Sequence, residues 1–224
     1  MRNEVELLKK LNTLLFALLS ASFAIIIFLT GSILQNVSFT FDRTIYEFLR
    51  SAFSTDWLHG LELLSFTASK PAIICISLLT MVILWLRTRD YAGIIAVFVF
   101  VLSGNVLNKL IKNWTQRERP AMNGIEEGYS FPSGHVMIGF IMYGLIIYLI
   151  YHHSPHPLLK TISLIIGTLL LIIIGVSRIA TGEHYATDVV AGYAFGGIIL
   201  VIAMKVHQSI VQGRRAKQQV DTSF

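Results

Sequence analysis

Three short stretches of this sequence carry side chains suited to binding phosphate and moving protons. They are Lys112-Asn-Trp-Thr-Gln-Arg-Glu-Arg119-Pro120, Pro132-Ser133-Gly134-His135 and Ser177-Arg178-Ile-Ala-Thr-Gly-Glu-His184-Tyr-Ala-Thr-Asp188. A guanidinium group meets phosphate oxygens as a planar fork, and a lysine acts as a point charge. Because several fixed cations near one point are costly without an anion, Lys112, Arg119 and Arg178 predict a phosphate site.

The second stretch adds backbone donors to that site. Ser133 and Gly134 stand where a helix is predicted to begin, and the free N–H groups and dipole of a helix N-terminus favour an anion. Gly134 has no side chain, so the backbone can approach a bound group closely. We therefore expect both residues to bind phosphate.

The histidines supply reactive groups. His184 and Asp188 are four residues apart, so a helix places them one turn apart on one face. Asp188 can then hold one imidazole nitrogen in its N–H form and leave the other as a lone pair. We predict that His184 attacks phosphorus to form a phosphohistidine. His135, titrating near neutrality, would protonate the leaving oxygen and then activate water, while the cations stabilise the transition state.

The same stretches resemble the signature motifs of the type 2 phosphatidic acid phosphatase superfamily. The family pattern is a lysine, six residues and Arg-Pro; then Pro-Ser-Gly-His; then Ser-Arg, five residues, His, three residues and Asp. Every fixed position is matched in order between Lys112 and Asp188, about a third of the chain. The layout is similar to that of bacterial membrane members, which include phosphatidylglycerophosphatase B-like and undecaprenyl-pyrophosphate phosphatase-like enzymes.

The resemblance implies an assignment of roles. His184 matches the nucleophile, His135 the acid and base, and Asp188 the partner of His184. The phosphate ligands implied are Lys112, Arg119, Ser133, Gly134 and Arg178. The family works without a metal, so neither metal nor cofactor is expected. The resemblance leaves open the roles of neighbouring residues, which are Arg117, Glu126, Glu127, Tyr129, Glu183 and Tyr185.

Composition indicates that these stretches are held by a membrane protein. The chain of 224 residues is 54% hydrophobic and 14% charged, with a mean hydropathy of +0.66, whereas soluble domains carry about 25% charged residues. The net charge of +5 comes from positives scattered between apolar runs, which favours membrane flanks over nucleic-acid binding. The single cysteine, Cys75, excludes an intramolecular disulfide and is interpreted as helix packing.

Six apolar runs are long enough to cross a bilayer, which takes about 20 residues as a helix. The first run is too long for the core of a cleavable signal peptide and is expected to remain as a helix. The prediction is an all-α, polytopic bundle of six transmembrane helices forming one domain over 1–224. The runs span about 11–34, 68–86, 91–111, 133–151, 159–178 and 188–206.

Six crossings place both termini on one side, and the three stretches together on the other. If the termini are cytoplasmic, 10 Lys and Arg residues lie inside and 8 outside. Three of the outer cations, Lys112, Arg119 and Arg178, already have a phosphate-binding explanation. Without these three, 10 Lys and Arg residues lie inside and 5 outside. This asymmetry favours a multi-pass protein of the cytoplasmic membrane, with cytoplasmic termini and an outer active site.

Two regions outside the motifs have alternative interpretations. The segment 35–68 has the spacing of short amphipathic helices at the outer interface, and either shapes a lipid entry route or only covers the bundle. Gly192 and Gly196 predict close helix packing. Among the other histidines, a solvated turn is expected at His152, His153 and His156, and an interfacial position for His59 and His207.

The favoured function is removal of a terminal phosphate from a lipid within the membrane, and no obligate protein partner or nucleic acid is indicated. Phosphatidylglycerol phosphate, phosphatidic acid and undecaprenyl pyrophosphate remain alternative substrates. A phosphotransferase with an acceptor other than water would use the same residues, although no acceptor pocket is visible in the sequence. A transporter is disfavoured because ionisable residues sit at helix ends, and a vanadate haloperoxidase because those enzymes are soluble.

Overall fold

The chain is an all-helical membrane protein. The structure is a computed structural model that describes residues 2–120 and 128–221, and every regular element in those ranges is helical. The α-helices are α1 (Arg2–Leu34), α2 (Thr40–Ala52), α3 (Thr55–Ser65), α4 (Lys70–Ile83), α5 (Tyr91–Thr115), α6 (Gly134–His153), α7 (Pro157–Ala180) and α8 (Ala186–Asp221).

The described ranges contain 6 helices long and apolar enough to span a bilayer, confirming the predicted crossings. Their candidate spans are Thr13–Leu34, Lys70–Thr88, Tyr91–Thr115, Gly134–His153, Pro157–Ala180 and Ala186–Arg214. The second span includes a π-helical turn at Leu84–Thr88 after α4. Two helices run past their predicted ends, because apolar character stops before helical hydrogen bonding does: α5 reaches Thr115, and α8 reaches Asp221.

The predicted short helices after the first crossing are α2 and α3. Helix α2 begins after Phe39 and ends before Phe53, and both flanking residues have extended backbones. Its exposed residues include Phe41 and Phe48, whereas Asp42 is buried at 5% exposure. A buried carboxylate requires a partner, and the partners of Asp42 belong to the candidate site.

Helix α6 lies at the centre of the bundle. Its residues Met137, Ile141 and Leu145 are completely buried. Helix α8 packs closely against it through the two predicted glycines: a Cβ atom on Gly196 would lie 2.9 Å from the Met137 carbonyl oxygen, and one on Gly192 would lie 3.0 Å from that of Ser133. This backbone contact confirms the packing prediction and fixes the start of α8 beside the start of α6.

At the opposite end of the bundle, Asp90 joins three helices. Its Oδ1 accepts from the Gly93 N–H at the start of α5, and its Oδ2 lies 2.8 Å from His153 Nε2 and 2.9 Å from His207 Nε2. His207 is fully buried, and its Nδ1 lies 2.8 Å from the Tyr148 hydroxyl. The predicted solvated turn is therefore wrong for His153, because the Asp90 carboxylate binds its ring. His207 is enclosed by protein at this end of the bundle, and its interfacial position stays a prediction.

Candidate active site

The three motif stretches meet at one end of the bundle. Lys112 is near the end of α5, and Arg119 is in the segment that follows it. His135 is in the first turn of α6, and Arg178 is in the last turn of α7. His184 lies just before α8. The antiparallel succession of these helices is what brings residues distant in sequence together.

Most of the predicted site residues line one cavity of about 830 Å³. Lys112, Arg119, Gly134, His135 and His184 all contribute to its wall. The other three predicted residues, Ser133, Arg178 and Asp188, are buried at 0%, 5% and 0% exposure. The structure thus brings together all eight predicted positions, with five facing the cavity and three behind them.

His184 and Asp188 form the pair expected from their spacing. Nδ1 of His184 lies 3.5 Å from Oδ2 of Asp188, long for a hydrogen bond but within ion-pair distance, and both side chains are buried. The same Oδ2 accepts a bond from the Tyr185 N–H at 2.9 Å, which fixes the carboxylate at the start of α8. Because Nδ1 is directed to Asp188, Nε2 is the ring nitrogen left for chemistry.

The surroundings of His184 hold its imidazole neutral. Burial is the largest cause and lowers its pKa to about 4; the Asp188 carboxylate opposes this shift, while Lys112 and Arg119 add to it. An ordinary histidine has a pKa of about 6.5. At neutral pH, His184 therefore has a lone pair rather than a second proton.

Arg117, whose role the sequence left open, is the principal contact of Asp188 on its other side. Its Nη1 donates to Asp188 Oδ1 at 2.5 Å and to Thr187 Oγ1 at 2.8 Å, and its guanidinium lies 4.0 Å from the centre of the Tyr185 ring. The described contacts of the Arg117 side chain are therefore with Asp188, Thr187, Tyr185 and Asp42. Arg117 braces the carboxylate that orients His184.

Asp42 completes this arrangement from α2, and sequence reasoning missed it. Its Oδ2 accepts from Arg117 Nη2 at 2.8 Å and from the Thr187 hydroxyl at 2.8 Å, while Oδ1 accepts from the Thr187 N–H at 2.8 Å. Asp42 therefore satisfies a free N–H in the first turn of α8. The available sequence signal was one of four carboxylates in the amphipathic segment 35–68, and nothing local reveals a partner 145 residues away.

The three predicted phosphate-binding cations have anchored positions. Lys112 Nζ donates to the Tyr129 carbonyl at 2.7 Å, and Arg119 Nη1 donates to the Glu183 carbonyl at 2.9 Å. The Glu183 carboxylate forms an ion pair with Arg178. Tyr129 and Glu183 thus position cations rather than supplying charge to the cavity. Glu126 and Glu127 lie outside the described residues.

The Pro-Ser-Gly-His stretch is held by bonds from two helices. Asn108 Nδ2 donates to the Pro132 carbonyl at 3.1 Å, and the Ser133 N–H donates to the Asp188 carbonyl at 3.1 Å. A Cβ atom on Gly134 would lie 3.1 Å from Asn108 Oδ1, so α5 approaches here. The buried Ser133 hydroxyl has no hydrogen-bond partner among the described residues, and a ligand oxygen is one group that would satisfy it.

The 830 Å³ cavity continues from the site into the apolar part of the bundle. Its far wall includes Met81 of α4 and Val97 of α5. Met81 is eleven residues from the start of α4, or about 16 Å along the helix axis. Ile74 and Phe98 line the cavity and are more than half exposed, so the cavity opens sideways between α4 and α5. Of the 35–68 segment, only Ala68 lines it among the described residues.

A second cavity of about 540 Å³ reaches His184 from another direction. It is lined by α2 residues, including Asp42 and Tyr46, and by the segment after α5 that contains Arg117 and Glu118. The 35–68 segment therefore covers the bundle, braces α8 and shapes this second cavity. The sideways opening of the 830 Å³ cavity lies between α4 and α5, and a role of the 35–68 segment in lipid entry stays a prediction.

Among residues 2–120 and 128–221, no group of three or more His, Cys, Asp and Glu side chains is placed to hold a metal ion. Catalysis without a metal remains a prediction from the resemblance.

Comparison with known proteins places this geometry in a family. The PAP2 superfamily model matches residues 91–212, which include all three motif stretches. The chain is 30% identical over 130 residues to phosphatidylglycerophosphatase B of Bacillus subtilis (strain 168), covering 57% of this chain and 64% of that relative. The match therefore spans less than two thirds of the length of this curated relative.

Two solved structures share the fold. The transmembrane PAP2-type phosphatidylglycerolphosphate phosphatase from Bacillus subtilis superposes with a TM-score of 0.73 at 23% identity, covering 86% of this chain and 96% of that one. Aquifex aeolicus LpxE superposes with a TM-score of 0.58 at 19% identity, covering 75% and 97%. With the family model matched over more than half of its length and every motif residue at one site, the chain belongs to the PAP2 superfamily.

Proposed function

We propose that this protein is a membrane phosphatase that hydrolyses the terminal phosphate of a lipid phosphate. The observation that carries the proposal is the continuity of the 830 Å³ cavity, which joins Lys112, Arg119 and His184 to an apolar trough between α4 and α5. A phosphate with an acyl or prenyl tail fits this order of polarity: the headgroup meets the cations, and the tail stays among apolar side chains.

The reaction proceeds in two displacement steps. In the first, His184 Nε2 attacks phosphorus, the bond from phosphorus to the leaving oxygen breaks, and His135 gives that oxygen a proton. In the second, His135 takes a proton from water, the water oxygen attacks the phosphohistidine, and the N–P bond breaks to release phosphate. Lys112, Arg119, Arg178, Ser133 and the Gly134 backbone stabilise the equatorial oxygens in both steps.

Asp188 fixes His184 for this chemistry and stabilises the imidazole when it bears a phosphoryl group. The neutral state of free His184 favours attack, since a protonated ring has no lone pair. The site lies on the outer face of the cytoplasmic membrane, with both termini in the cytoplasm, as the distribution of Lys and Arg indicates. Phosphatidylglycerol phosphate, phosphatidic acid and undecaprenyl pyrophosphate are the substrates to compare.

The test is phosphate release by the purified protein in detergent with EDTA, using each of the three lipids. We expect hydrolysis of at least one lipid by the wild type. His184→Ala and His135→Ala should each lower kcat/KM by about 10³-fold or more. A loss of this size is expected when a nucleophile, or an acid–base group that acts together with it, is removed. A radiolabelled lipid should leave acid-labile label on the wild type and not on His184→Ala.

Arg50→Gln is the control, because Arg50 is exposed on α2 and lines neither cavity. Inactivity of the wild type on all three lipids would reject the phosphatase, and full activity of the histidine variants would reject the assigned roles. Loss of activity in EDTA that returns with a divalent ion would reject the metal-independent mechanism.

A phosphotransferase is the second candidate, and the 540 Å³ cavity is the observation that favours it. That cavity reaches His184 and otherwise has a different lining from the 830 Å³ cavity, so an acceptor could approach a phosphohistidine through it. Product analysis with glycerol or another alcohol in the reaction separates the two functions. Phosphorylated acceptor formed in preference to free phosphate would favour transfer, and free phosphate alone would favour hydrolysis.

A further inference from the structure

The lipid-binding cavity has more positive charge than the family motifs account for. Besides Lys112 and Arg119, its described lining includes Lys70 and Lys109, and it includes no Asp or Glu side chain. Lys70 is the first residue of α4, and Lys109 lies on α5. These two lysines belong to none of the three motif stretches.

Lys109 lines the cavity from α5, about one helical turn before the motif lysine Lys112. It is six residues before the end of α5, so its Cα lies about 9 Å along the axis from that end, towards the middle of the bundle. Lys109 makes no hydrogen bond or ion pair with the residues that the structure describes, and its side chain lines the cavity.

Lys109 also belongs to a polar stripe on α5. Asn105, Lys109 and Lys112 are separated by four and three residues, so they share one face of the helix, and all three line the cavity. The stripe descends from the catalytic cations for about 10 Å and ends where Leu102 and Phe98 begin the apolar trough. The cavity therefore has a polar, positively charged zone between the catalytic site and the trough.

Lys70 contributes to the cavity from the opposite helix. It too has no hydrogen bond or ion pair with the described part of the chain, and α4 continues into the trough through Ile73 and Ile74. A substrate that reaches from the trough to His184 passes the zone between the two helices. Its headgroup would meet Lys70 and Lys109 before it meets the catalytic cations.

The charge balance indicates what this zone binds. A terminal phosphate carries about −1.5 to −2 charges at neutral pH, and Lys112, Arg119 and Arg178 are sufficient to match it. Among the described lining residues, two further lysines leave a positive excess beside a lipid with a single phosphate. A second phosphate between the scissile group and the tail would neutralise them.

We propose that Lys70 and Lys109 form a second anion subsite that selects lipids with two phosphates, the terminal one being hydrolysed and the inner one bound by these lysines. This proposal rests on the proposed phosphatase function and narrows its substrate class. The inner phosphate stays with the lipid throughout: the bond from the terminal phosphorus to the bridging or glycerol oxygen breaks, that oxygen receives the proton from His135, and the terminal phosphoryl group passes to His184. Two lipid chemistries share the feature, a prenyl diphosphate and phosphatidylglycerol phosphate.

The experiment compares kcat/KM for phosphatidic acid, phosphatidylglycerol phosphate and a prenyl diphosphate, in wild type, Lys70→Gln, Lys109→Gln and the double variant. Charge-assisted bonds contribute about 1.5–3 kcal/mol each, so each variant should lose about 10- to 100-fold on a preferred two-phosphate lipid. The loss should be mainly in KM, and phosphatidic acid should change less than about 2-fold. The two-phosphate lipid whose kcat/KM falls more in the variants has the spacing between phosphates that the subsite fits.

A binding measurement keeps the two proposals separate. Inorganic pyrophosphate should stabilise the wild type against thermal unfolding more than inorganic phosphate does, and the difference should vanish in the double variant but not in Arg50→Gln. Equal losses on all three lipids, no loss on any, or equal stabilisation by the two anions would overturn the subsite. A wild type that hydrolyses no lipid rejects the phosphatase alone, since the anion comparison still decides the subsite.

Discussion

Arg117 and Asp188 form a buried ion pair in which the arginine contacts Oδ1, while His184 lies nearest to Oδ2 of the same carboxylate. The two carboxylate oxygens therefore have separate partners: Arg117 positions the carboxylate, and His184 is the proposed nucleophile that the carboxylate orients. Asp42 on α2 holds the other side of the Arg117 guanidinium. A chain of contacts thus runs from a short helix outside the six crossings to the proposed nucleophile.

The first prediction concerns Arg117. Arg117→Gln should lower kcat by about 10²-fold with little change in KM, because Asp188 then no longer orients His184, and a misplacement of about 1 Å at the reacting groups costs about that much. Arg117→Lys should recover part of the rate, since it restores the positive charge but not the planar guanidinium group that contacts both carboxylates. Steady-state kinetics of the three proteins provide the measurement. A rise in KM with unchanged kcat would instead assign Arg117 to substrate binding.

The second prediction concerns Asp42. Asp42→Asn keeps the shape of the side chain but removes the charge facing Arg117, so kcat should fall about 10-fold while KM stays within about 2-fold, in line with the 1.5–3 kcal/mol of a charged hydrogen bond. Glu47→Gln is the matched control on the same helix, since Glu47 is exposed and pairs only with exposed Arg43 in the described structure. If both variants behave like wild type, α2 has no positioning role.

The third prediction is the protonation state of His184. Its pKa of about 4 means that the folded protein keeps this ring neutral between pH 4 and 6.5, where an unfolded chain would protonate it. The sign follows: the folded state binds fewer protons in this window, so this contribution to stability is complete above pH 6.5 and is lost as the pH falls towards 4.

Nitrogen NMR of labelled imidazole measures that state directly. At pH 5.5, His184 should be neutral in the wild type and in Arg50→Gln. Lys112→Gln should raise its pKa, because the Lys112 charge disfavours the protonated ring. A wild-type His184 that titrates near 6.5 would show that the ring is not desolvated as the structure indicates.

The fourth prediction tests the contact between α6 and α8. In Gly196→Ala the new Cβ would lie 2.9 Å from the Met137 carbonyl oxygen, so the helices must separate, at a cost of about 1–3 kcal/mol. The thermal unfolding midpoint should fall, and activity with it, since the motif residues Ser133 and Asp188 start these two helices. Gly213→Ala on α8 is the control, because no atom lies within 4 Å of its added Cβ. Equal midpoints for the two variants would contradict the contact.

The fifth prediction concerns the end of the bundle away from the site. Burial works to raise the pKa of Asp90, but bonds from Gly93, His207 and His153 outweigh it and keep the carboxyl ionised. Asp90→Asn retains a side chain that caps a helix well and removes the charge facing the two rings. The unfolding midpoint should fall relative to exposed Asp56→Asn, while kcat of the folded enzyme should remain within about 2-fold. A large loss of kcat would indicate coupling between the ends.

The sequence predicted the six crossings, and that the three motif stretches lie at one end of the bundle, because both depend on local signals. A run of apolar residues defines a membrane helix without reference to its neighbours, and fixed spacings such as that of His184 and Asp188 predict a shared helix turn. The Gly192 and Gly196 contact was predictable for the same reason. The ends of α5 and α8 were not predictable in this way, because hydropathy indicates where a chain leaves the bilayer and not where its helical hydrogen bonds end.

The contacts that sequence reasoning missed join residues far apart in the chain. Asp42 and Thr187, or Asp90 and His207, have no spacing relationship, and their burial follows only from how the helices pack. The α4–α5 opening is likewise a property of two helix faces, and neither α4 nor α5 shows it alone. Assigning Arg117 required knowing that α2 folds back over the start of α8.

The sideways opening between α4 and α5 has a kinetic consequence for a lipid substrate. A molecule that enters through it moves within the plane of the bilayer, so encounter depends on how many lipids surround each enzyme rather than on how many are present per volume of solution. Diluting the substrate with inert detergent at constant total substrate should therefore slow the reaction. The rate should depend on the mole fraction of substrate among the surrounding lipid and detergent molecules, as in surface-dilution kinetics. The bulk concentration of substrate should matter much less.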